Sequence, residues 1–167
     1  MEGRDQHRKK PWPHDFPAWL QAYRWELGWL LGGLWARSVI AMGLLAGWDE
    51  AYYYLYTRHL SWSYFDHPVM VALTTGIGPW LTGTVSPFTI RLGTLALYTG
   101  SLVLLYATAH HLWGRCVARH TLAIASLTPL FTFAFGTLTA PDSGLIFCGT
   151  LAVFWASQEF FPAASDP

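Results

Sequence analysis

The residues of this chain that could do chemistry gather between Trp48 and Pro68. An acidic pair, Asp49 and Glu50, follows directly on a hydrophobic stretch, and Asp66-His67-Pro68 closes the segment. A carboxylate at the mouth of an apolar span is costly unless it faces water, a partner or a substrate. Two adjacent side chains point about 100° apart on a helix, so this pair cannot act on one face. One carboxylate can serve as a general base in a cleft while the other braces the helix.

Several residues near this pair have more than one interpretation. Asp49 is either a base or the N-cap of the following helix. His67 is a ligand, a hydrogen-bonding group or part of a turn, and with the nearby carboxylates and Asp142 it could hold a divalent cation. The tyrosines of residues 52–56 form either an interfacial aromatic belt or a surface on which a sugar ring stacks. The sequence contains no Gly-rich phosphate loop, nucleophile elbow or Cys/His zinc motif.

The elements that position these residues are predicted to be membrane helices. Of the 167 residues, 53% are hydrophobic and 12% are charged, whereas about a quarter of the residues of a soluble domain are charged. The uncharged runs 92–109 and 121–140 approach the ~20 residues that cross a bilayer as a helix. A net charge of zero gives no indication of a nucleic-acid partner. The sequence therefore predicts an all-α, multi-pass integral membrane protein.

We predict about four transmembrane helices. Residues 1–23 form a polar cytoplasmic tail, residues 24–161 form the membrane domain, and residues 162–167 form a short tail. The predicted spans are residues 25–48, 88–112, 117–138 and 143–161. Arg37, near the middle of the first span, either faces other helices or contacts an anionic lipid phosphate.

The outer loop, residues 49–86, is predicted to have structure of its own. Residues 51–60 have the pattern of a short amphipathic helix. Residues 69–81 are apolar but short, and Gly76, Gly78 and Pro79 interrupt them. This stretch is predicted to be an interfacial or re-entrant helix, and the alternative is a full crossing.

Basic residues indicate the orientation. The N-terminal tail carries Arg4, Arg8, Lys9 and Lys10, and the turn at residues 113–120 carries two further arginines. The positive-inside rule therefore places the N-terminus and that turn in the cytoplasm. With four spans, the outer loop and the Pro141-Asp142 turn both emerge on the extracytoplasmic face. Two acidic segments far apart in sequence are thus expected to meet there.

Four ordered motifs resemble a known family. They are Asp49–Tyr53 (DEAYY), Tyr64–Pro68 (YFDHP), Ile90–Leu92 (IRL) and the pair Pro141-Asp142. In this order and with these separations they resemble the dolichyl-phosphate-mannose–protein mannosyltransferase-like enzymes of glycosyltransferase family 39, and the related aminoarabinose–lipid A transferases. The resemblance covers most of residues 48–145. Val69 stands where the family usually has a second proline.

The resemblance implies the N-terminal portion of a C-type glycosyltransferase. Such an enzyme moves a sugar from a polyprenyl-phosphate-linked donor lipid to an acceptor hydroxyl of a protein, lipid or glycan. The reaction takes place at the extracytoplasmic face of the cell inner membrane or the endoplasmic reticulum. The resemblance implies that Asp49 is the catalytic base and that Glu50 assists it. The substrate-binding residues that it implies are Asp142, His67, Asp66, Arg91 and Tyr53, with Arg91 meeting the donor phosphate.

Members of that family are several times longer than this chain. We therefore expect the remaining spans in a continuation of the reading frame or in a partner chain. A function of a different class stays open as the alternative. It is a non-catalytic membrane subunit, derived from the family, that binds lipid or acts as a scaffold.

Overall fold

The computed structural model describes residues 18–164, with side chains from residue 20 onward. This part of the chain is helical and contains no β-strand beyond an isolated bridge between Ser63 and Pro68. The helices are α1 (Ala18–Ala22), α2 (Arg24–Gly43), α3 (Trp48–Arg58), α4 (Val69–Thr82), α5 (Pro87–Leu127), a π-helix (Leu130–Phe135) and α6 (Asp142–Phe160). The predicted all-helical class is confirmed. The basic residues of the predicted N-terminal tail lie outside the described residues.

Helix α5 folds back on itself at Gly114. This glycine has φ 79° and ψ 175°, a conformation that is essentially restricted to glycine. The Tyr98 hydroxyl donates to the carbonyl of Ala125, 27 residues further on, at 3.0 Å. A straight helix would separate these residues by about 40 Å. The two arms of α5 are therefore antiparallel, with a tight turn where the sequence predicts one.

Helix α2 runs antiparallel to the first arm of α5. Three side-chain contacts at successive heights establish this register: Glu26 with Tyr106 at 3.1 Å, Arg37 with Thr99 at 3.1 Å, and Ala41 with Arg91 at 2.7 Å. Helix α6 packs closely on the same arm, since a Cβ added at Gly100 would lie 2.8 Å from the Phe147 ring. The helices α2 and α6 and the two arms of α5 thus pack side by side and form a helical bundle.

The end of this bundle that contains the turn at Gly114 is closed by Glu26. The side chain is 3% exposed, and its Oε1 accepts from Arg115 at 2.8 Å and from Arg119 at 2.9 Å. The two guanidinium groups also lie over the rings of Tyr23 and Trp25. We call this the basic end of the bundle.

Helix α4 packs backbone to backbone against α5. A Cβ at Gly78 would lie 1.9 Å from the carbonyl oxygen of Thr89, and one at Gly93 would lie 2.0 Å from the carbonyl oxygen of Thr74. Only glycine permits this approach. The short helix predicted over residues 69–81 is confirmed as α4, which lies beside the start of α5.

Two predicted spans differ from the helices observed. The first ends at Gly43 instead of Trp48, and α3 then departs from α2 at an angle of 93°. The third is interrupted after Leu127, because Thr128 precedes Pro129 and adopts an extended conformation. Among the described residues, α5 is the one helix long and apolar enough by itself to cross a bilayer, and α2 with α3 passes the same test only as a bent pair. The total of four crossings stays a prediction.

Gly114→Ala is expected to destabilise the protein by about 1–3 kcal/mol, because a Cβ strains the backbone at this φ and ψ. Unfolding in a detergent titration measures the change. Gly28→Ala is the matched control. It lies inside α2 with no heavy atom within 4 Å of the added Cβ, so it should leave stability unchanged or raise it. Equal stability of Gly114→Ala and the wild type would contradict the assigned turn.

Candidate active site

A buried ion pair joins Arg91 of α5 to Glu50 of α3. The Nε of Arg91 donates to Oε1 at 2.8 Å and its Nη2 donates to Oε2 at 2.5 Å. The two side chains are 0% and 5% exposed. This bidentate geometry is the strongest arrangement available to a guanidinium and a carboxylate.

The remaining donors of Arg91 are all engaged. The guanidinium carries five N–H groups, and two of them bind Glu50. The other three donate to the carbonyl oxygens of Ala41 at 2.7 Å, Leu44 at 2.9 Å and Leu45 at 3.0 Å. Arg91 thus satisfies the open carbonyls at the end of α2, where the chain turns into α3.

Glu50 is equally saturated. Besides the two bonds from Arg91, it accepts from the backbone N–H of Gly47 and of Thr139, each at 2.9 Å. Burial acts to raise the pKa of Glu50, but the hydrogen bonds from Arg91 and the two amides outweigh it and hold the pKa below its usual value. Glu50 therefore has no free lone pair with which to take a proton from a substrate.

Asp49 is exposed and free. The N-cap of α3 is Gly47, and its backbone N–H is bound by Glu50 at the third helical position. The interpretation of Asp49 as the N-cap is therefore wrong. Within residues 18–164 the Asp49 side chain has no ion-pair or hydrogen-bond partner, and it lines an open cavity of about 440 Å³ together with Tyr53 and the π-helix residues Phe133 and Phe135.

The charges of three aspartates act on the Tyr53 side chain. Burial raises the pKa of Tyr53, and the negative charges of Asp49, Asp66 and Asp142 raise it further. Asp142 begins α6, three residues after the Thr139 amide that binds Glu50. The structure thus brings together acidic residues from the start of α3, the loop before α4 and the start of α6. We call this the acidic end of the bundle, and it lies opposite the basic end.

Asp66 lies between Tyr56 and His67. The Tyr56 hydroxyl donates to Oδ1 at 2.5 Å, and Nε2 of His67 lies 3.6 Å from Oδ2. The hydrogen bond from Tyr56 lowers the pKa of Asp66 below its usual value. The His67 ring packs edge-on against Tyr53, with 5.1 Å between the centroids. The loop before α4 therefore presents a fixed Asp66-His67 pair to the acidic end.

Two contributions to this site were not predicted from the sequence: the hydrogen bond from Tyr56, which the sequence indicates only as part of an aromatic belt or a sugar-stacking surface, and the backbone N–H of Thr139. Tyr56 lies one helical turn after Tyr53, so the spacing of three could have indicated that both face the same side. Thr139 contributes a backbone N–H, a group that every non-proline residue carries, so its residue type gives no signal.

A metal site finds no support in the part of the chain that the structure describes. Residues 18–164 contain no group of three or more His, Cys, Asp or Glu side chains arranged to hold a metal ion.

The sequence model of a family described as dolichyl-phosphate-mannose-protein mannosyltransferase matches residues 66–159, which is more than half of the 167 residues. The chain belongs to this family. The family consists of membrane-bound glycosyltransferases. No curated protein and no solved structure matches the chain significantly.

The part of the chain that matches the mannosyltransferase family contains Asp66, His67, Arg91 and Asp142. The acidic pair of α3 precedes it. The ion pair of Glu50 with Arg91 nevertheless locks α3 onto the matched region. The acidic end is therefore one site built from both parts of the chain.

Glu50→Gln is expected to destabilise the protein by about 3–5 kcal/mol, because it leaves the Arg91 charge buried and unpaired. Asp49→Asn, one residue away and exposed, is the matched control and should change stability by less than about 0.5 kcal/mol. Denaturant unfolding of the detergent-solubilised protein compares the two. Similar stabilities of the two variants would show that the ion pair does not hold the site together.

Tyr56→Phe is expected to raise the pKa of Asp66 toward the usual aspartate value, because the hydroxyl that stabilises the carboxylate is lost. The phenyl ring can still stack on Tyr64, whose ring lies 3.8 Å away. Carbon-13 NMR of labelled aspartate carboxyl groups measures the titration. Tyr64→Phe, whose hydroxyl binds the carbonyls of Tyr56 and His59, should leave the pKa of Asp66 unchanged, and an equal shift in both variants would contradict the assignment.

Proposed function

We propose that the protein transfers a sugar from a polyprenyl-phosphate-linked donor to an acceptor hydroxyl, with Asp49 as the general base. The observation that carries this proposal is the division of roles within the acidic pair. Both carboxylates line the same open cavity, but Glu50 is buried and saturated by four hydrogen bonds, whereas Asp49 is exposed and has no partner among the described residues. The chain thus offers a free carboxylate on a helix start that a buried ion pair holds in place.

The chemistry suits a single carboxylate. Asp49 takes the proton of the acceptor hydroxyl while the hydroxyl oxygen forms a bond to the anomeric carbon of the donor sugar. The bond from that carbon to the phosphate oxygen breaks, and the lipid phosphate leaves with the electron pair. One such displacement inverts the anomeric centre. The lipid phosphate is already a competent leaving group, so the base supplies the remaining assistance.

Other residues of the acidic end are assigned supporting roles in this proposal. Asp142 and His67 lie on the Tyr53 side of the site and contact the hydroxyl groups of the donor sugar. Asp66 orients His67 from one side. Arg91 has every N–H engaged and is 0% exposed, so we propose a positioning role for it, with Glu50, in place of contact with the donor phosphate.

The placement of charges supports an extracytoplasmic reaction. Asp49, Asp66 and Asp142 lie at one end of the bundle, and Arg115 and Arg119 lie at the other. The positive-inside rule places the basic end in the cytoplasm. The donor sugar would then be presented on the opposite face, with the polyprenyl chain in the bilayer.

Asp49→Asn is expected to lower the rate of sugar transfer by about 10²–10⁴-fold, the usual contribution of a general base. Transfer of radiolabelled sugar from a polyprenyl-phosphate donor to an acceptor hydroxyl in proteoliposomes measures the rate. Glu159→Gln, an exposed carboxylate near the far end of α6, should retain wild-type turnover.

Wild-type turnover by Asp49→Asn would remove the proposed base. A wild-type protein that retains the donor lipid but shows no turnover would favour the alternative of a non-catalytic lipid-binding subunit. Loss of transfer in both Asp49→Asn and Glu159→Gln would indicate a non-specific effect and would also count against the assignment.

A further inference from the structure

Among the described residues, one buried arginine lacks a charged partner. Arg37 of α2 is 0% exposed, and no carboxylate of residues 18–164 lies within ion-pair distance of it. Its Nη2 donates to Thr99 at 3.1 Å, and its guanidinium lies 4.9 Å from the centre of the Tyr98 ring. Its Nε and Nη1 have no hydrogen-bond partner. Arg37 thus differs from Arg91, all of whose donors are satisfied.

Arg37 lines a groove of about 560 Å³ along one side of α2. The groove is also lined by Ser126, whose buried hydroxyl has no partner. An unpaired buried polar group costs free energy, and an unpaired buried charge costs more. Two such groups beside one groove indicate that a polar acceptor belongs there.

Small residues of α2 line part of the groove. Gly28 and Gly32 are four residues apart, and a Cβ added at either would have no heavy atom within 4 Å. A Cβ at Gly33 would lie 3.2 Å from Nη1 of Arg37, so this glycine leaves room for the guanidinium. Glycines spaced by four on an apolar helix allow a second membrane helix to approach its backbone closely.

The depth of Arg37 favours a helix over a lipid headgroup. Arg37 lies six residues before the end of α2, or about 9 Å along the helix. The 20 residues of α2 have the length of a hydrocarbon core of about 30 Å, and α2 is apolar enough to cross it as part of the bent pair with α3. Lipid phosphates lie outside that core, whereas a helix can carry an acceptor at any depth. In a second copy docking through the same face, Arg24 and Arg37 of one chain would lie near Arg24 and Arg37 of the other. These like charges would repel.

We propose that this groove receives a partner membrane helix that carries a carboxylate level with Arg37 and small residues facing Gly28 and Gly32. The guanidinium is 0% exposed, so docking includes a rotation of the Arg37 side chain toward the groove, where the carboxylate accepts from its unpaired Nε and Nη1. The proposal requires the chain to lie in a membrane, as its family does, but it does not depend on sugar transfer.

The test uses the full chain, labelled with a fluorescent donor and reconstituted in phosphatidylcholine vesicles. The probes are two acceptor-labelled apolar peptides of 24 residues with the same glycine face. One carries glutamate at the level of Arg37 and the other carries leucine there. Energy transfer should show about tenfold tighter association of the glutamate peptide, the order expected for one polar contact inside a membrane.

Two variants separate the charge from the shape of the groove. Arg37→Met should abolish the preference for glutamate, and its fold is checked by circular dichroism. Replacing an unpaired buried charge with an apolar residue of similar size is not expected to destabilise the isolated chain. Gly32→Leu keeps Arg37 but fills the groove, so it should weaken the binding of both peptides.

Four outcomes would overturn the proposal. The first is equal affinity for the two peptides, and the second is a preference for glutamate that survives in Arg37→Met. The third is displacement of the glutamate peptide by added phosphatidylglycerol, which would identify an anionic lipid as the occupant. The fourth is energy transfer between two copies of the chain that depends on Gly32, which would identify a homodimer.

Discussion

The arrangement of the acidic end depends on one interaction, the buried pair of Arg91 and Glu50. A buried ion pair is not stabilising by itself, because removing two charges from water costs several kcal/mol. The cost is offset here by complete hydrogen bonding. All five N–H groups of Arg91 and both oxygens of Glu50 are engaged. These bonds join the end of α2, the start of α3, the start of α5 and the segment before α6. The ion pair therefore fixes the relative positions of four parts of the chain that are far apart in sequence.

The same pair explains why two adjacent carboxylates differ in role. Side chains one position apart on a helix point about 100° apart, so when Glu50 faces Arg91, Asp49 must turn away from it. Asp49 then faces the cavity between α3 and the π-helix. A base needs a position that is both fixed and accessible. Glu50 provides the first property, since at the third helical position it also binds the backbone N–H of the N-cap Gly47, and Asp49 provides the second.

The sequence contained part of this result. The apolar runs predicted helices, and the short stretch before α5 was predicted as a separate helix because glycine and proline interrupt it. Four predicted spans put Asp49 and Asp142 on the same face of the membrane. In the structure the charges of both residues act on Tyr53. The break at Thr128 could have been predicted from Pro129, because the residue before a proline avoids the helical region. The saturation of Glu50 could not have been predicted. Its partner Arg91 lies 41 residues away, and only the three-dimensional turn after α2 directs three carbonyl groups at that arginine.

Charges in an apolar bundle are tolerated only where their partners are supplied, and α2 shows three levels of compensation along its length. At its start, Glu26 is shared between Arg115 and Arg119. At its end, the carbonyl groups of the last turn are bound by Arg91. Between these two points, the Arg37 guanidinium donates to the hydroxyl of Thr99 and lies over the Tyr98 ring, and it has no anionic partner within the described residues. The buried Oε2 of Glu26 also lacks a partner, but Glu26 is paired with two arginines. Arg37 is the buried charge of α2 that has no ion-pair partner among the described residues. A surface that combines an unsatisfied cation with an uncovered glycine face has the two features that membrane helices use to associate, close backbone approach and a polar contact.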